Sequence, residues 1–457
     1  MKTTFSGWRY LWKSEDIRRK LLITGLLLVI FNLATYVPVP GINTAALKAL
    51  TSNLSSAGSF FNFLDLLSGG TISRFSLLAM GVYPYITAQI ILQLLTPIIP
   101  ALQRKMEEDP REGRKFQERW TYYLAVPMAA LSAIGQINIF NTYSQQITGG
   151  EPVVNFSLSG SQLVPSLAVL FSMVAGTMFA IWLGELISEY GIRGQGLSLI
   201  IFAGIVARMP SNFGTLLADK QHGWILVISM IIVLVAVIFA IVFVQQGRRN
   251  VPVMYPGRRV GNRMSMPVKG TLPLMVNLAG MIPLIFGSAL LQFPAIIASY
   301  FLTSKNASVA SLALGTQRLF SSTSWVYWLL YFLMVVVFTF FYTDVLFTQQ
   351  NYGENLKKVG AQVPGINRGA PTQKYLTRVQ RRITFPGALF LGLVAVLPYI
   401  ISLVLAAFKV STASSSSGLY LVSSAGLLIV VGVVRDTFQN IQAELKLHGY
   451  EDSLLVR

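Results

Sequence analysis

The most constraining feature of this sequence is an uncharged run of 24 residues, Ser76–Ile99, which directly follows a shorter apolar piece. A run of this length crosses a lipid bilayer as a helix. The preceding piece, 60–75, is too short to cross, carries two charges and is interrupted by Gly69 and Gly70. We expect it to be re-entrant. Non-helical backbone at membrane depth requires surrounding protein or a water-filled cavity, so the stretch predicts a cavity within a bundle.

The composition indicates a polytopic membrane protein. Of the 457 residues, 53% are hydrophobic and 12% are charged, whereas soluble domains carry about 25% charged residues. The sequence has no cysteine, which excludes disulfides, thiolate metal sites and thiol nucleophiles. Its two histidines, His222 and His448, lie far apart and outside the predicted spans, so a His-rich metal site is excluded.

Hydropathy and length predict ten transmembrane helices of roughly 20 residues, the length that about 30 Å of hydrocarbon requires. The fold class we predict is therefore an all-α polytopic membrane protein. The ten predicted spans are approximately 21–37, 76–99, 120–140, 163–187, 197–217, 224–244, 271–293, 323–347, 384–406 and 418–437.

The distribution of Lys and Arg predicts the orientation. With the N-terminus in the cytoplasm, 29 of the 36 basic residues fall in cytoplasmic segments. Ten spans return the C-terminus to the cytoplasm and divide as five plus five. An odd number of spans per half permits two inverted halves, which we place at 1–218 and 224–437, with a hinge loop at 219–223 and a cytoplasmic tail at 438–457.

Two cytoplasmic loops are long, basic and rich in Gly and Pro: 245–270 and 348–383. Topogenic charge and contact with lipid head groups would explain them. A docking surface for an acidic partner, such as a ribonucleoprotein, would explain them equally well. Alternation over 251–260 indicates a hairpin in the first loop.

Sequence motifs give no support for an enzyme. The chain contains no HExxH, no P-loop and no Gly-rich dinucleotide motif, and no carboxylates converge by spacing. A small-molecule secondary transporter with inverted repeats is the main alternative to a channel. Such a transporter would need a solute site near the midplane, and the scarcity of ionisable residues in the spans weighs against it.

Isolated polar side chains within the spans either join helices structurally or form a polar seam between helices that separate. They are Asn32, Thr87, Gln89, Gln93, Gln136 and Asn277. Several aliphatic residues in four spans show no spacing that marks a pore, and from the sequence alone they belong to the core or the lipid-facing surface.

Several motifs, in order along the chain, resemble the SecY family of protein-conducting channels. They include YVPVPGI at 36–42, LSGGTISRFSLLAMGVYPYITAQIILQLL at 67–95 and PLMVNLAGMIPLIFGSALLQFP at 273–294. GTMFAIWLGELISEYGIRGQGLSLIIFAGIVARMP at 176–210 and the stretch 340–384 match as well.

The resemblance implies a two-halved clamshell with an hourglass pore, a re-entrant plug and a lateral gate between the second and third and the seventh and eighth spans. The implied pore ring is Val82, Ile86, Leu197, Ile201, Ile285 and Ile429. The implied plug is Phe60, Phe61, Asn62, Phe63, Leu64, Asp65, Leu66, Leu67, Ser68, Gly69, Gly70, Thr71, Ile72, Ser73 and Arg74. The implied polar gate residues are Thr87, Gln93, Gln136 and Asn277.

The resemblance also implies a function and partners. The function would be passive movement of unfolded secretory proteins across the cytoplasmic membrane and lateral release of transmembrane segments, without enzymatic activity or cofactor. The expected partners are SecE, SecG, the SecA motor, the ribosome, the preprotein or nascent chain with its signal peptide, and membrane lipid. The implied docking residues for the ribosome and SecA are Arg258, Arg259, Lys357, Lys358, Arg368 and Lys374.

The second docking loop departs from the family pattern at one position. The family commonly has PGIRPG where this chain has PGINRG at 364–369. Asn367 therefore occupies the usual arginine position and Arg368 follows it. Either loop flexibility lets Arg368 substitute for the usual arginine, or the partner contact at this position is lost.

Overall fold

The structure is a computed structural model of the whole chain. It describes residues 15–44, 46–47, 75–96, 99–100, 102, 104, 110–148, 152–156, 162–192, 194, 196–217, 223–256, 259–260, 263–264, 268–301, 307–320, 324–407 and 424–447.

Each of the ten predicted spans overlaps a helix. These helices are α1 (Glu15–Ala34), α2 (Tyr83–Leu95), α3 (Pro110–Thr148), α4 (Leu163–Tyr190), α5 (Gly196–Leu217), α6 (Gly223–Gln246), α7 (Ile282–Phe301), α9 (Trp325–Gln349), α11 (Ala370–Ala407) and α12 (Ser424–Leu447). The sequence did not predict two shorter helices, α8 (Ala307–Leu319) and α10 (Tyr352–Lys358).

Within the described residues, three helical stretches are long and apolar enough to cross a membrane by themselves: Leu163–Tyr190, Trp325–Lys358 and Ala370–Leu397. Shorter apolar stretches cover Gly196–Ala207 and Ile231–Gln246. Helix α2 has 13 residues and is therefore about 20 Å long, less than the hydrocarbon thickness.

The first five long helices pack together. Helix α2 packs on α3, α3 on α4, α4 on α5, and α1 lies against both α4 and α5. One buried cluster joins α3 and α4 to the segment after residue 74, where Phe75 meets Phe140 edge to face with ring centroids 5.0 Å apart. Because these elements are far apart in sequence yet in close contact, the five helices form a single packed group.

The later helices form a second packed group. Helix α9 packs extensively on α11 and also on α7, while α12 lies against α6 and α11. Aromatic side chains fill its core: Trp328 of α9 stacks on Tyr399 of α11 with centroids 5.7 Å apart.

The two groups meet along two edges. On one edge α7 contacts α2 and α3, and on the other α6 and α12 contact α5. We call the first edge the seam; its helices are α2 and α3 on one side and α7 and α9 on the other.

The predicted helix over 76–99 is wrong at its N-terminal end, because α2 begins only at Tyr83. Residues 75–82 form turns, and Ser76 makes a β-bridge with Pro38. The amide of Leu77 donates to the Val37 carbonyl at 2.8 Å. Pairing with the chain after α1 satisfies backbone groups that a helix would have paired internally.

The predicted span 271–293 is wrong in its first eleven residues. Strand β1 (Arg248–Tyr255) pairs antiparallel with β4 (Val268–Met275), and α7 begins only at Ile282. The predicted hairpin is therefore longer than 251–260. A short inner pair lies at its tip, formed by β2 (Arg259–Val260) and β3 (Arg263–Met264). Hydropathy alone does not separate an apolar strand from the start of an apolar helix.

Candidate functional site

Five of the six residues implied for the pore ring lie in one apolar cluster between the two helix groups. Val82 at the N-cap of α2, Ile201 of α5 and Ile429 of α12 are buried in it. Ile86 and Leu197 are half-buried and pack against it. Aliphatic side chains from three helices therefore converge at one place, which we call the central cluster.

The sixth residue, Ile285, is buried in the first turn of α7. Its amide donates to the carbonyl of Met281, and Met281 packs against the central cluster. Helix α7 thus brings the second helix group to the cluster through Met281, with Ile285 one turn further along.

All fifteen residues implied for the plug lie outside the described residues. The chain that directly follows them is well packed: Phe75, Ser76, Leu78 and Ala79 have no exposed surface. Leu78 belongs to the central cluster. The segment after residue 74 therefore packs against the central cluster.

The structure places one implied gate residue in a contact across the seam. The Tyr342 hydroxyl of α9 donates a hydrogen bond to Gln93 Oε1 of α2 at 2.9 Å. Tyr342 is buried and Gln93 is half-buried. Sequence reasoning missed Tyr342, although its motif FFYTDVLF places a hydroxyl within a span, because the partner is 249 residues away.

The other implied gate residues make local contacts or lie along the same helices. Buried Thr87 donates to the Tyr83 carbonyl at 3.0 Å within α2. Asn277 is buried and pairs both ways with Gly280: its Nδ2 donates to the Gly280 carbonyl, and the Gly280 amide donates to its Oδ1 at 3.0 Å. Gly280 has φ +64°, which favours glycine. Gln136 is half-buried on α3.

A second tyrosine bond joins two helices on the same side of the seam. The Tyr331 hydroxyl of α9 donates to the Leu284 carbonyl of α7 at 3.2 Å. Tyr331 is 2% exposed, so its phenol is removed from solvent. This bond holds α7 and α9 to each other, whereas the Tyr342 bond reaches α2.

The two long basic loops form one folded unit, which we call the basic platform: the described residues of 247–276 and 350–369. A β-bridge joins them, with the Met254 amide donating to the Gln362 carbonyl at 2.8 Å and the Gln362 amide donating back at 3.0 Å. Both loops and the flanking helices share a buried apolar core that includes Val253, Phe347 and Val363.

Most of the implied docking residues project from this platform or its edge. Lys357, Lys358, Arg368 and Lys374 are exposed. The Arg368 Nε donates to Gln362 Oε1 at 3.2 Å, so this arginine is anchored to the strand bridge. Arg259 lies in β2, and Arg258 falls outside the described residues.

An ion pair joins α9 to α11 beside the platform, and a buried amide fixes the platform to α11. Arg381 of α11 contacts Asp344 of α9 at 2.8 Å, and this hydrogen bond raises the pKa of Arg381. The buried Gln380 donates to the Met275 carbonyl at 3.0 Å. Burial also raises the pKa of the Tyr352 hydroxyl in α10.

A further cation holds the second helix group together. Arg435 of α12 donates from Nη1 to the Gln245 carbonyl at the end of α6, at 3.0 Å, and pairs with Asp436. A guanidinium near a helix C-terminus complements the helix dipole.

Among the described residues, no three His, Asp or Glu side chains are grouped so as to hold a metal ion.

The fold and the central cluster define a class: a polytopic helical membrane protein with two helix groups around an apolar centre. A solved structure reported as "The structure of a protein conducting channel" covers 97% of this chain, and 94% of that chain is matched, with a TM-score of 0.59 and 18% identity. A second, of a SecY protein whose report concerns its plug domain and closed state, has a TM-score of 0.57 at the same coverage and identity.

Sequence comparisons define the family. The SecY family model matches residues 76–438. A relative from Aquifex aeolicus, named protein translocase subunit SecY, is 37% identical and the match covers 96% of this chain and 97% of that protein. Relatives of the same name from Thermotoga maritima and Streptomyces coelicolor are 35% and 34% identical, with at least 95% of each chain covered. The chain belongs to the SecY family.

Proposed function

We propose that this chain is the central pore-forming subunit of a protein-conducting channel. It translocates unfolded secretory proteins across the cytoplasmic membrane and releases transmembrane segments sideways into lipid. The observation that carries the proposal is the central cluster, in which residues of α2, α5 and α12 meet between two helix groups. The chain belongs to the SecY family, and its relatives are named translocase subunits. This supports a role for the cluster in protein conduction.

The central cluster and Ile285 supply the pore ring. A narrow aliphatic constriction excludes water and therefore blocks ions. Aliphatic side chains have no directional bonds to break, so they part around a peptide and close behind it. Residues 60–74 supply the plug, and the buried segment that follows them supports a plug whose C-terminal end lies beside the ring.

Two inverted halves, 1–218 and 224–437, open about the hinge loop 219–223. The contacts of α5 with α6 and α12 form the hinge edge, and the seam forms the lateral gate. Thr87, Gln93, Gln136 and Asn277 line or support that gate. An apolar signal peptide of about 20 residues leaves through the open seam because it partitions into hydrocarbon.

The basic platform docks the partners that supply energy. Its basic residues suit the phosphates of a ribosome or acidic patches of a SecA motor. They are Arg258, Arg259 and the exposed Lys357, Lys358, Arg368 and Lys374. SecE braces the two halves, and a SecG subunit and membrane lipid complete the assembly. The chain itself is a passive channel rather than an enzyme, it needs no cofactor, and both of its termini are cytoplasmic.

Reconstitution tests this function against a solute transporter. Proteoliposomes containing the chain with SecE and SecG receive SecA, ATP and a labelled preprotein, followed by external protease. The proposal predicts that the preprotein becomes protected only when ATP and an intact signal peptide are present. Absence of protection, combined with saturable uptake of a small solute, would favour a transporter.

A further inference from the structure

The hydrogen bond of Tyr342 crosses the seam, whereas the hydrogen bond of Tyr331, on the same helix, stays within one helix group. Tyr342 donates across the seam to α2, in the first helix group, at 2.9 Å. Tyr331 donates to Leu284 of α7, in its own group, at 3.2 Å. The two tyrosines lie three helical turns apart on the same helix, and both are at most 5% exposed. Opening of the seam would break the first bond and leave the second intact.

We propose that Tyr342 is the latch of the seam: its hydroxyl holds the seam closed through Gln93 and sets how readily the seam opens. The inference rests on the proposed function of the seam as a lateral gate. Tyr342 acts as a positioning residue, because its effect is on the separation of α2 and α9 rather than on the transported chain.

The chemistry of the pair suits a contact that must break and reform. The bond joins two neutral groups, and interhelical bonds of this kind in membranes are weak because the separated groups find other partners. Gln93 lies in the last turn of α2, and Tyr342 lies two turns before the end of α9. By the predicted orientation, both helices end at the cytoplasmic side, so water reaches the parted groups from there.

The separation of the two helices can be measured without any transport. The chain has no cysteine, so two spin labels can be attached at introduced cysteines. The two substitutions are Ile99→Cys beyond α2 and Gln350→Cys at the end of α9. Pulsed EPR in lipid nanodiscs then gives the distance distribution across the seam. Tyr342→Phe keeps the ring and removes the hydroxyl. We expect the open-to-closed ratio to rise about threefold, equivalent to about 0.6 kcal/mol.

Two further variants separate a latch from general destabilisation. Gln93→Leu is expected to lengthen the distances as Tyr342→Phe does, and the double variant no further, because both remove the same bond. Tyr331→Phe removes a buried hydroxyl of the same helix but is expected to leave the distribution unchanged. The latch is overturned when Tyr342→Phe matches the parent, or when Tyr331→Phe lengthens the distances equally.

A transport measurement links the latch to its consequence. In proteoliposomes, the Tyr342→Phe channel should translocate preproteins whose signal peptides are too weakly apolar for the parent. The signal-peptide hydrophobicity required for transport, the threshold, should therefore be lower than for the parent. If the parent transports well and the Tyr342→Phe channel has the same threshold as the parent, the latch alone is overturned. Failure of the parent to transport any preprotein, with partners shown to be active, instead contradicts the proposed function.

Discussion

At the scale of single residues, a missing side chain decides how closely two backbones approach beside the central cluster. Gly176 lies on α4 and is fully packed against the segment that follows residue 74. A Cβ at this position would overlap the Leu77 carbonyl oxygen and lie 2.7 Å from the carbonyl carbon. Backbone cannot move aside as a flexible side chain can, so this contact requires glycine.

We predict that Gly176→Ala lowers the free energy of unfolding by about 1–3 kcal/mol, the usual cost of overpacking. The melting temperature in detergent measures it. Gly25→Ala on α1 is the matched control, because a Cβ there meets no atom within 4 Å. An equal melting temperature for Gly176→Ala and the parent would show that α4 and Leu77 are not in close contact.

The ring assignment makes a second prediction at this scale. Ile285→Asn puts an amide into the apolar constriction, which lets water and ions enter. We expect the resting conductance of the channel in planar bilayers to rise at least severalfold. Ile297→Asn places the same change on the exposed face of the same helix and should leave the conductance unchanged. A parent-like conductance for Ile285→Asn would remove Ile285 from the ring.

At the residue level, motifs named candidate residues, but a contact between distant segments could not be predicted. The resemblance to the SecY family implied Gln93 as a gate residue, but its partner Tyr342 could not be found because no local pattern links the two. The grouping of Val82, Ile201 and Ile429 also depends on the fold, since their spacing in sequence shows no periodicity.

At the scale of elements, the basic platform is a small folded unit rather than two separate loops. The bridge between Met254 and Gln362 and the core around Val253 make the hairpin and the second loop move together. The described strands of the hairpin are therefore held against the second loop.

Charge reversal at the tip tests docking. We predict that the double variant Arg258→Glu with Arg259→Glu weakens ribosome binding and lowers the slope of log affinity against log salt by about two. Binding is measured by co-sedimentation at several salt concentrations. Arg248→Glu with Arg249→Glu makes the same charge change at the exposed base of the hairpin and should have a smaller effect. Equal loss in both variants would indicate a general electrostatic effect of the loop.

Hydropathy located a helix at each predicted span, but it misplaced several boundaries. The strand β4 ends in apolar residues that continue into α7, and α2 starts late because Ser76 pairs with Pro38. Both errors arise because a hydropathy window records burial and not the hydrogen-bond partner of each backbone amide. The N-terminal extension of α11 to Ala370 was missed because its first turns are polar.

At the scale of the whole molecule, the class of protein followed from length and composition, and each of the ten predicted spans overlaps a helix. The way in which the helix groups meet did not follow from length and composition, because edges such as α7 against α2 and α3 depend on packing between distant segments. The proposed function requires one property of the whole chain: a polypeptide passes through the central cluster.

A disulfide trap tests that requirement directly. Ile86→Cys introduces a single cysteine at the central cluster, and Ile232→Cys introduces one on the exposed face of α6 as the control. With SecE, SecA, ATP and a stalled preprotein carrying one mid-chain cysteine, oxidation should give an ATP-dependent adduct at position 86 and none at 232. Protected preprotein without an adduct at position 86, or an equal adduct at 232, would place the path elsewhere.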